Sequence, residues 1–568
     1  MAKLVKKVKR PLGELRSHSS GGSSVETSPL RPVQVPKTPP CSNGCPNGTN
    51  IREFLTTISQ SEDCGRTNKE SFEEAWRILT EKNPFPSSCG RVCPHPCEVE
   101  CNRNHKDGAV GINNLERFVG DYAIENGFKL KRLSEESYPQ KIAVIGAGPS
   151  GLSCAYQLAI RGYSVKVFEA FSKPGGMLRY GIPDYRLPQD ILDKEIKRIE
   201  ELGVEIKCNQ IVGKEILYED LQKNFDAIFV GIGAHKGKLL GLHNEEALNV
   251  FTGTEFLNKI NSGETIEVGD KVLVVGGGDT AIDAARVSRR LGADVTIVYR
   301  RTRKEMPAIE EEIVGAEEEG VKIEFLSAPV DFEKNGELVT GMKCQKMELG
   351  EPDESGRRRP VPILDSYFYL DASTVIAAIS QEPDFAGLDF LHEGKDWIKT
   401  DENFMTKVTN TYSGGDDIEL GLVTIAIFNG RKAAETIHNR FQNIIMEPEL
   451  KPPVITHDRI ILSYYESKLR NEPFKLQPEE RLNRSDSSGK NLNLEITSTL
   501  TEQQALDEAK RCMSCGSCFD CGTCWSYCQD QVIVKPVIKH QTYKFKLDFC
   551  NGCKKCAENC PCGYIEMK

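Results

Sequence analysis

Residues 141–170 read KIAVIGAGPSGLSCAYQLAIRGYSVKVFEA, and this stretch decides the fold. An apolar run leads into Gly146-x-Gly148-x-x-Gly151, a helix-like segment follows, and a second apolar run closes on Glu169. In a strand–turn–helix unit the first glycine permits the tight turn and the second admits a pyrophosphate against the backbone. The third lets helix and strand pack closely. The helix N-terminus offers free N–H groups and a partial positive charge to the phosphates. Glu169 lies about 20 residues past the glycines, where a carboxylate can accept both ribose hydroxyls. The glycine pattern alone is weak, but with both strands and the acid it specifies a dinucleotide site.

The pattern recurs in KVLVVGGGDTAIDAARVSRRLGADVTIVYRR, residues 271–301. Gly276-x-Gly278-Asp279-Thr280-Ala281 repeats the geometry, with alanine in the third position. The second strand ends in Tyr299, Arg300 and Arg301, with Arg303 close behind and no acid at the ribose position. A guanidinium there suits a 2′-phosphate, which predicts NADP(H), with NAD(H) as the alternative. The plainer reading is that these arginines cap a surface turn. Two dinucleotide sites in one chain imply electron exchange between two cofactors, FAD in the first unit and nicotinamide in the second. Further on, Gly415 and Asp416 precede the helix-like run 421–437, which contains Thr424. An aspartate there can hold a flavin ribityl chain, and the helix N-terminus can stabilise charge on reduced flavin. Between 141 and 450 the only cysteines are Cys154, Cys208 and Cys344, with no CxxC dithiol. Electrons must therefore leave the flavin by another route.

Composition narrows the class. The 568 residues carry a net charge of -10, which argues against a nucleic-acid binder. No run of 18 apolar residues predicts a membrane span, and no secretory leader is expected, so the expected location is cytoplasmic. Most of the 21 cysteines fall within 41–101 and 512–562, a clustering that reads as metal ligation in a reducing compartment.

The C-terminal cysteines run Cys518-x2-Cys521-x2-Cys524-x3-Cys528, then Cys550-x2-Cys553-x2-Cys556-x3-Cys560-Pro561. This is the spacing of a bacterial two-cluster ferredoxin, in which the fourth thiolate of each run crosses to the other cluster. One [4Fe–4S] cluster is assigned Cys518, Cys521, Cys524 and Cys560. The other is assigned Cys550, Cys553, Cys556 and Cys528. Structural zinc is the rival reading.

The N-terminal cysteines sit in CSNGCP (41–46) and NPFPSSCGRVCPHPCEVEC (83–101). Together with GGMLRYGIPDYRLP, VVGGGDTAIDAA, VYRR and EMPA, they make residues 41–440 resemble the small subunit of glutamate synthase. The related module of dihydropyrimidine dehydrogenase and the large subunit of the bifurcating NADH-dependent ferredoxin:NADP oxidoreductase belong to the same group. The resemblance implies a disulfide-reductase-like α/β fold and two N-terminal [4Fe–4S] clusters. One would take Cys45, Cys93, Cys97 and Glu116. The other would take Cys41, Cys101 and a CxxC that the family places just upstream, where this chain has no cysteine. The stretch EAKRCMSCG resembles that element, so Cys512 and Cys515 are expected to complete the second cluster across the two ends of the chain. That gives four clusters, and three if the sharing fails. By the same resemblance, Gly176 and Leu178 pack near the flavin ring, with Arg186 beside them. The acid run 310–319 reads as a solvated helix face.

The expected organisation is a disordered tail over 1–40, a helical Fe–S domain over 41–138 and an FAD domain over 139–270 and 376–450. An NAD(P)H domain over 271–375, a linker over 451–504 and an α+β ferredoxin-like domain over 505–568 complete it. The expected function is electron transfer between NAD(P)H, FAD and [4Fe–4S] clusters, to or from a ferredoxin or a partner redox subunit in a hetero-oligomeric complex. No catalytic acid or base is assigned. The alternatives are a glutamate synthase small subunit, a bifurcating subunit and a non-enzymatic redox sensor.

Overall fold

The computed structural model describes residues 28–354, 356–392, 397–445, 451–483, 493–541 and 543–568. The first 27 residues of the expected tail and residues 484–492 of the expected linker lie outside the described residues.

Two parallel five-stranded sheets carry the architecture. The first is ordered Thr411–Ser413, Ala227–Val230, Lys141–Ile145, Ser164–Phe168, Glu205–Lys207. Its central strands, Lys141–Ile145 and Ala227–Val230, are nearly continuous apolar runs because both of their faces are covered. Helix Pro149–Ile160 packs on helix Val423–Phe441, so a single core joins the motif helix to the helix that follows Asp416. Gly146 has φ +96°, and a Cβ there would lie 2.2 Å from the Gly231 carbonyl oxygen, so only glycine makes this turn.

The second sheet is ordered Lys322–Phe325, Asp294–Tyr299, Lys271–Val275, Thr374–Ala377, Val250–Thr252. The boundary expected at 270/271 is therefore too late, because Val250–Thr252 and helix Gly253–Asn261 already belong to this unit. The two-residue pair Lys236–Gly237 with Gln381–Glu382 marks both crossings between the units. An antiparallel arm, Ser327–Asn335, Leu338–Pro352 and Arg358–Asp371, projects from the second unit.

The N-terminal domain is a helix cluster whose core includes Phe54, Phe72, Trp76, Leu115 and Phe118. Its helix Asn68–Thr80 starts in a Thr67/Glu70 capping box. The same core contains Leu500, Ala505 and Ala509 from helix Glu502–Ala509, so the boundary expected at 505 cuts through a shared domain. Arg511 and Glu508 pair at 2.6 Å with both side chains fully buried, and Arg511 also donates to the Ala109 carbonyl at 2.7 Å. Residues 28–40 are not a free tail. Pro32–Gln34 pairs antiparallel with the C-terminal strand Ile565–Met567, and Ser28 N–H donates to the Asn551 carbonyl. Among the described residues, no helix is long and apolar enough to cross a membrane.

Candidate functional site: two dinucleotide cavities and four thiol groups

The first glycine motif opens into a cavity of about 420 Å³. Gly146, Gly148, Glu169, Gly176, Leu178, Gly415 and Asp416 line it. A Cβ on Gly176 would lie 2.6 Å from Gly148 Cα, so the two glycines keep a narrow backbone floor open. Glu169 is buried, and its oxygens accept the Ala147 and Phe171 N–H groups at 2.6 and 2.8 Å. Burial raises its pKa, and those hydrogen bonds oppose the rise. Ser150, in the first turn of the helix, points a buried hydroxyl with no partner, and it lines the cavity. An unsatisfied donor at a helix N-terminus above a glycine floor fits a pyrophosphate. Burial lifts Asp416 to about 6, although Gly421 N–H donates to it at 3.1 Å.

Three of the residues expected around FAD sit elsewhere. Gly151 does not line the cavity; a Cβ there would lie 2.0 Å from the Gly146 carbonyl oxygen, so its role is helix–strand packing. Thr424 faces the neighbouring thiol pocket instead. Arg186 is buried and bonded to Asp283 at 2.7 Å, a strut to the second unit rather than a group at the ring. His235, missed in the sequence, lines the cavity, and burial lowers its pKa to about 4. Its only signal is its place just after the apolar strand Ala227–Val230.

A second cavity, of about 910 Å³, is lined by Gly276, Gly278, Asp279, Thr280, Arg300 and Arg301. Ala281 is fully buried in the helix and does not line it. Arg303 is held away by Glu310 and Glu317 at 2.8 and 2.6 Å. The acid run is therefore not simply solvated. Glu310 and Glu317 hold Arg303, while Glu312 and Glu319 turn inward onto Arg286. The two cavities share Thr280, Gln381, Asp416 and Gly421.

Two thiol pockets follow. Cys45, Cys93, Cys97 and Glu116 line the first, with His95 and Thr424. Burial lifts Cys93 to about 12 and Glu116 to about 7. Asn83 donates to Glu116 at 2.8 Å, and the Thr424 hydroxyl is buried with no partner. Cys89, read as an ordinary thiol, is buried beside this pocket but does not line it. Cys41, Cys101, Cys512 and Cys515 line the second pocket, drawn from opposite ends of the chain. Burial raises Cys512 to about 11 and Cys515 to about 12, and neighbouring thiols add to the rise.

In the C-terminal region, burial raises the Cys524 pKa to about 12, and the neighbouring thiols of Cys518, Cys521 and Cys560 add to the rise. Burial raises Cys556 to about 11, and the neighbouring thiols of Cys528, Cys550 and Cys553 add to the rise. The thiols thus gather as Cys518, Cys521, Cys524 and Cys560, and as Cys528, Cys550, Cys553 and Cys556. Cys562, also read as an ordinary thiol, lies with its sulfur 3.8 Å from that of Cys560. Burial raises the Tyr465 pKa, and the neighbouring thiols Cys562, Cys515, Cys512 and Cys521 add to the rise.

Two dinucleotide cradles edge to edge, with thiol groups beyond them, define an oxidoreductase that uses a pyridine nucleotide, FAD and [4Fe–4S] centres. Residues 140–430 match the family described as pyridine nucleotide-disulphide oxidoreductase, and residues 31–128 match dihydropyrimidine dehydrogenase domain II, 4Fe-4S cluster. The chain belongs to the pyridine nucleotide-disulphide oxidoreductase family. It is 36% identical over 521 residues to the NADPH-Fe(3+) oxidoreductase subunit beta of Geobacter sulfurreducens, covering 84% of this chain and 75% of that one. It is 35% identical over 430 residues to the glutamate synthase [NADPH] small chain of Escherichia coli, covering 71% and 88%. It is 40% identical over 430 residues to the NADP(+)-dependent formate dehydrogenase subunit beta of Moorella thermoacetica, covering 70% of this chain and 59% of that one.

Proposed function

We propose that the chain is the electron-transfer subunit of a larger redox complex, moving electrons between NADP(H) and a one-electron acceptor such as a ferredoxin or a partner iron–sulfur subunit. One observation carries this reading: the two cavities and the two thiol pockets form a row in which each shares residues or a helix turn with the next. The nucleotide cavities share residues. In the first turn of helix Val423–Phe441, Val423 and Ala426 line the first cavity while Thr424 lines the nearer thiol pocket. The two thiol pockets share Ile112, and helix Pro40–Gly44 runs between Cys41 in one and Cys45 in the other. Cys515 lies three residues before Cys518, and the Tyr465 hydroxyl donates to the Met513 carbonyl at 2.8 Å, between the shared pocket and the C-terminal groups.

In this reading Gly146, Gly148, Glu169, Gly176, Leu178, Gly415 and Asp416 hold FAD. Gly276, Gly278, Asp279, Thr280 and Arg300 hold NADP(H). The ligand groups are Cys45, Cys93, Cys97 and Glu116, then Cys41, Cys101, Cys512 and Cys515, then the two C-terminal groups. When bound, nicotinamide and flavin exchange an electron pair, and cubanes take single electrons, which is why one chain carries both kinds of group. The chain's own contribution is positioning. Thr280 and Asp416, on the wall common to the two cavities, set how the nucleotides face each other. Neutral His235 and the apolar residues Leu178 and Leu422 exclude water there. Among the described residues, no three Cys, His, Asp or Glu side chains converge tightly enough for a single metal ion.

The test is anaerobic purification from the native source with identification of co-purifying chains. NADPH and NADH titrations should then follow flavin and cluster absorbance separately. Bleaching of both chromophores by NADPH is expected. Flavin bleaching without cluster reduction would overturn the row.

A further inference from the structure

The antiparallel arm of the second unit ends against the nucleotide cavity, and the contacts there assign different duties to neighbouring arginines. Arg301 is 4% exposed; its Nη2 donates to Asp353 at 2.6 Å and its Nε to the Arg358 carbonyl at 2.7 Å. It fastens the arm to the end of strand Asp294–Tyr299. Arg303 is fastened to Glu310 and Glu317. Arg300 lines the cavity from the strand end, and Arg357 lines it from the arm. Asp353 N–H donates to the Arg357 carbonyl at 2.8 Å, and Arg357 N–H to the Asp353 carboxylate at 3.3 Å, so whatever fixes Asp353 also fixes Arg357.

We propose that the arm completes a 2′-phosphate clamp: Arg300 and Arg357 approach the phosphomonoester from two elements, and Arg301 is a positioning residue that docks the arm through Asp353. The inference rests on reading this cavity as a pyridine-dinucleotide site. A phosphomonoester dianion has three strong acceptor oxygens and is matched by planar guanidinium forks. The end of the second strand of a Rossmann unit is where a 2′-phosphate falls. Discrimination of NADP(H) from NAD(H) then lies partly in an insertion outside the glycine motif.

The test is calorimetric titration of the oxidised holoprotein with NADP+ and with NAD+. Arg357→Ala should weaken NADP+ about tenfold or more, the loss of one charge-assisted contact, while NAD+ affinity moves less than about twofold. Arg357→Lys should recover part of the loss. Asp353→Asn should raise the KM for NADPH severalfold and leave that for NADH in place, which a merely structural role would not do. Equal weakening of both nucleotides by Arg357→Ala, or no change in either, overturns the clamp and leaves the cavity assignment standing. Failure of the unmodified protein to bind either nucleotide overturns the cavity assignment, and the clamp with it.

Discussion

The nucleotide cradles and the thiol pockets are built in opposite ways. Each cradle is seeded by one continuous stretch, where strand, turn and helix deliver the glycines and the ribose-end residue within about 30 residues, and other segments close over it. The shared thiol pocket takes Cys41 and Cys101 from one end of the chain and Cys512 and Cys515 from the other. It forms only when helix Glu502–Ala509 docks into the N-terminal core. A cradle should therefore fail by local steric damage, and the pocket by any loss of long-range docking.

The largest expected effect follows from the docking. Glu508→Ala leaves the buried Arg511 guanidinium with only its longer 3.4 Å contact to Asp107, and breaking such a buried pair costs about 3–5 kcal/mol. Purified protein should lose iron from the shared pocket, about four of about sixteen per chain, while keeping its flavin. Flavin loss in step with iron would erase the distinction between the regions.

Glu319→Gln is the corresponding break in the second unit. Its carboxylate is fully buried against Arg286 and Arg290, at 2.5 and 2.6 Å. Burial alone would raise its pKa, but the Arg286 and Arg290 contacts win and hold it at about 2, below the ordinary 4.5. A depressed carboxyl stabilises the fold above its unfolded pKa, so this contribution is full above pH 4.5 and fades as pH falls toward 2. The substitution should cost about 3 kcal/mol at neutral pH. The gap between variant and parent should close in acid, as read by thermal unfolding across that range.

Gly151→Ala tests local damage. Its Cβ would sit 2.0 Å from the Gly146 carbonyl, and the overpacking should cost about 1–3 kcal/mol and release flavin, with iron retained. The smallest effect is Thr501→Ala, which removes the capping box of the docked helix and should cost about 1 kcal/mol in thermal stability.

The same contrast governs what could be read in advance. The two Rossmann units were legible because apolar runs, glycines and ribose-end residues fall in fixed register. Their boundaries were not, since Val250–Thr252 is a three-residue strand that enters the sheet after a crossover. The arm has no sequence signature, because much of Arg358–Asp371 is exposed on both faces and shows no apolar alternation. Sequence adjacency puts Thr424 with the flavin, but neighbouring helix positions face directions about 100° apart, and Thr424 faces the thiol pocket. Glu312 and Glu319 were read as solvated because an acid run shows its charge and not the buried arginines awaiting it. The thiols grouped across the chain ends became legible only through resemblance, since no local spacing connects position 41 to position 512.

The central claim is that the shared pocket links the nucleotide half of the molecule to the C-terminal clusters. The most direct measurement is anaerobic reduction by NADPH of the Cys512→Ser/Cys515→Ser double variant, followed by stopped-flow absorbance and low-temperature EPR. Flavin should still bleach, while the C-terminal pair stays oxidised on the timescale that reduces it in the unmodified protein. Reduction of that pair at the unmodified rate, with the pocket's iron absent, would contradict the account.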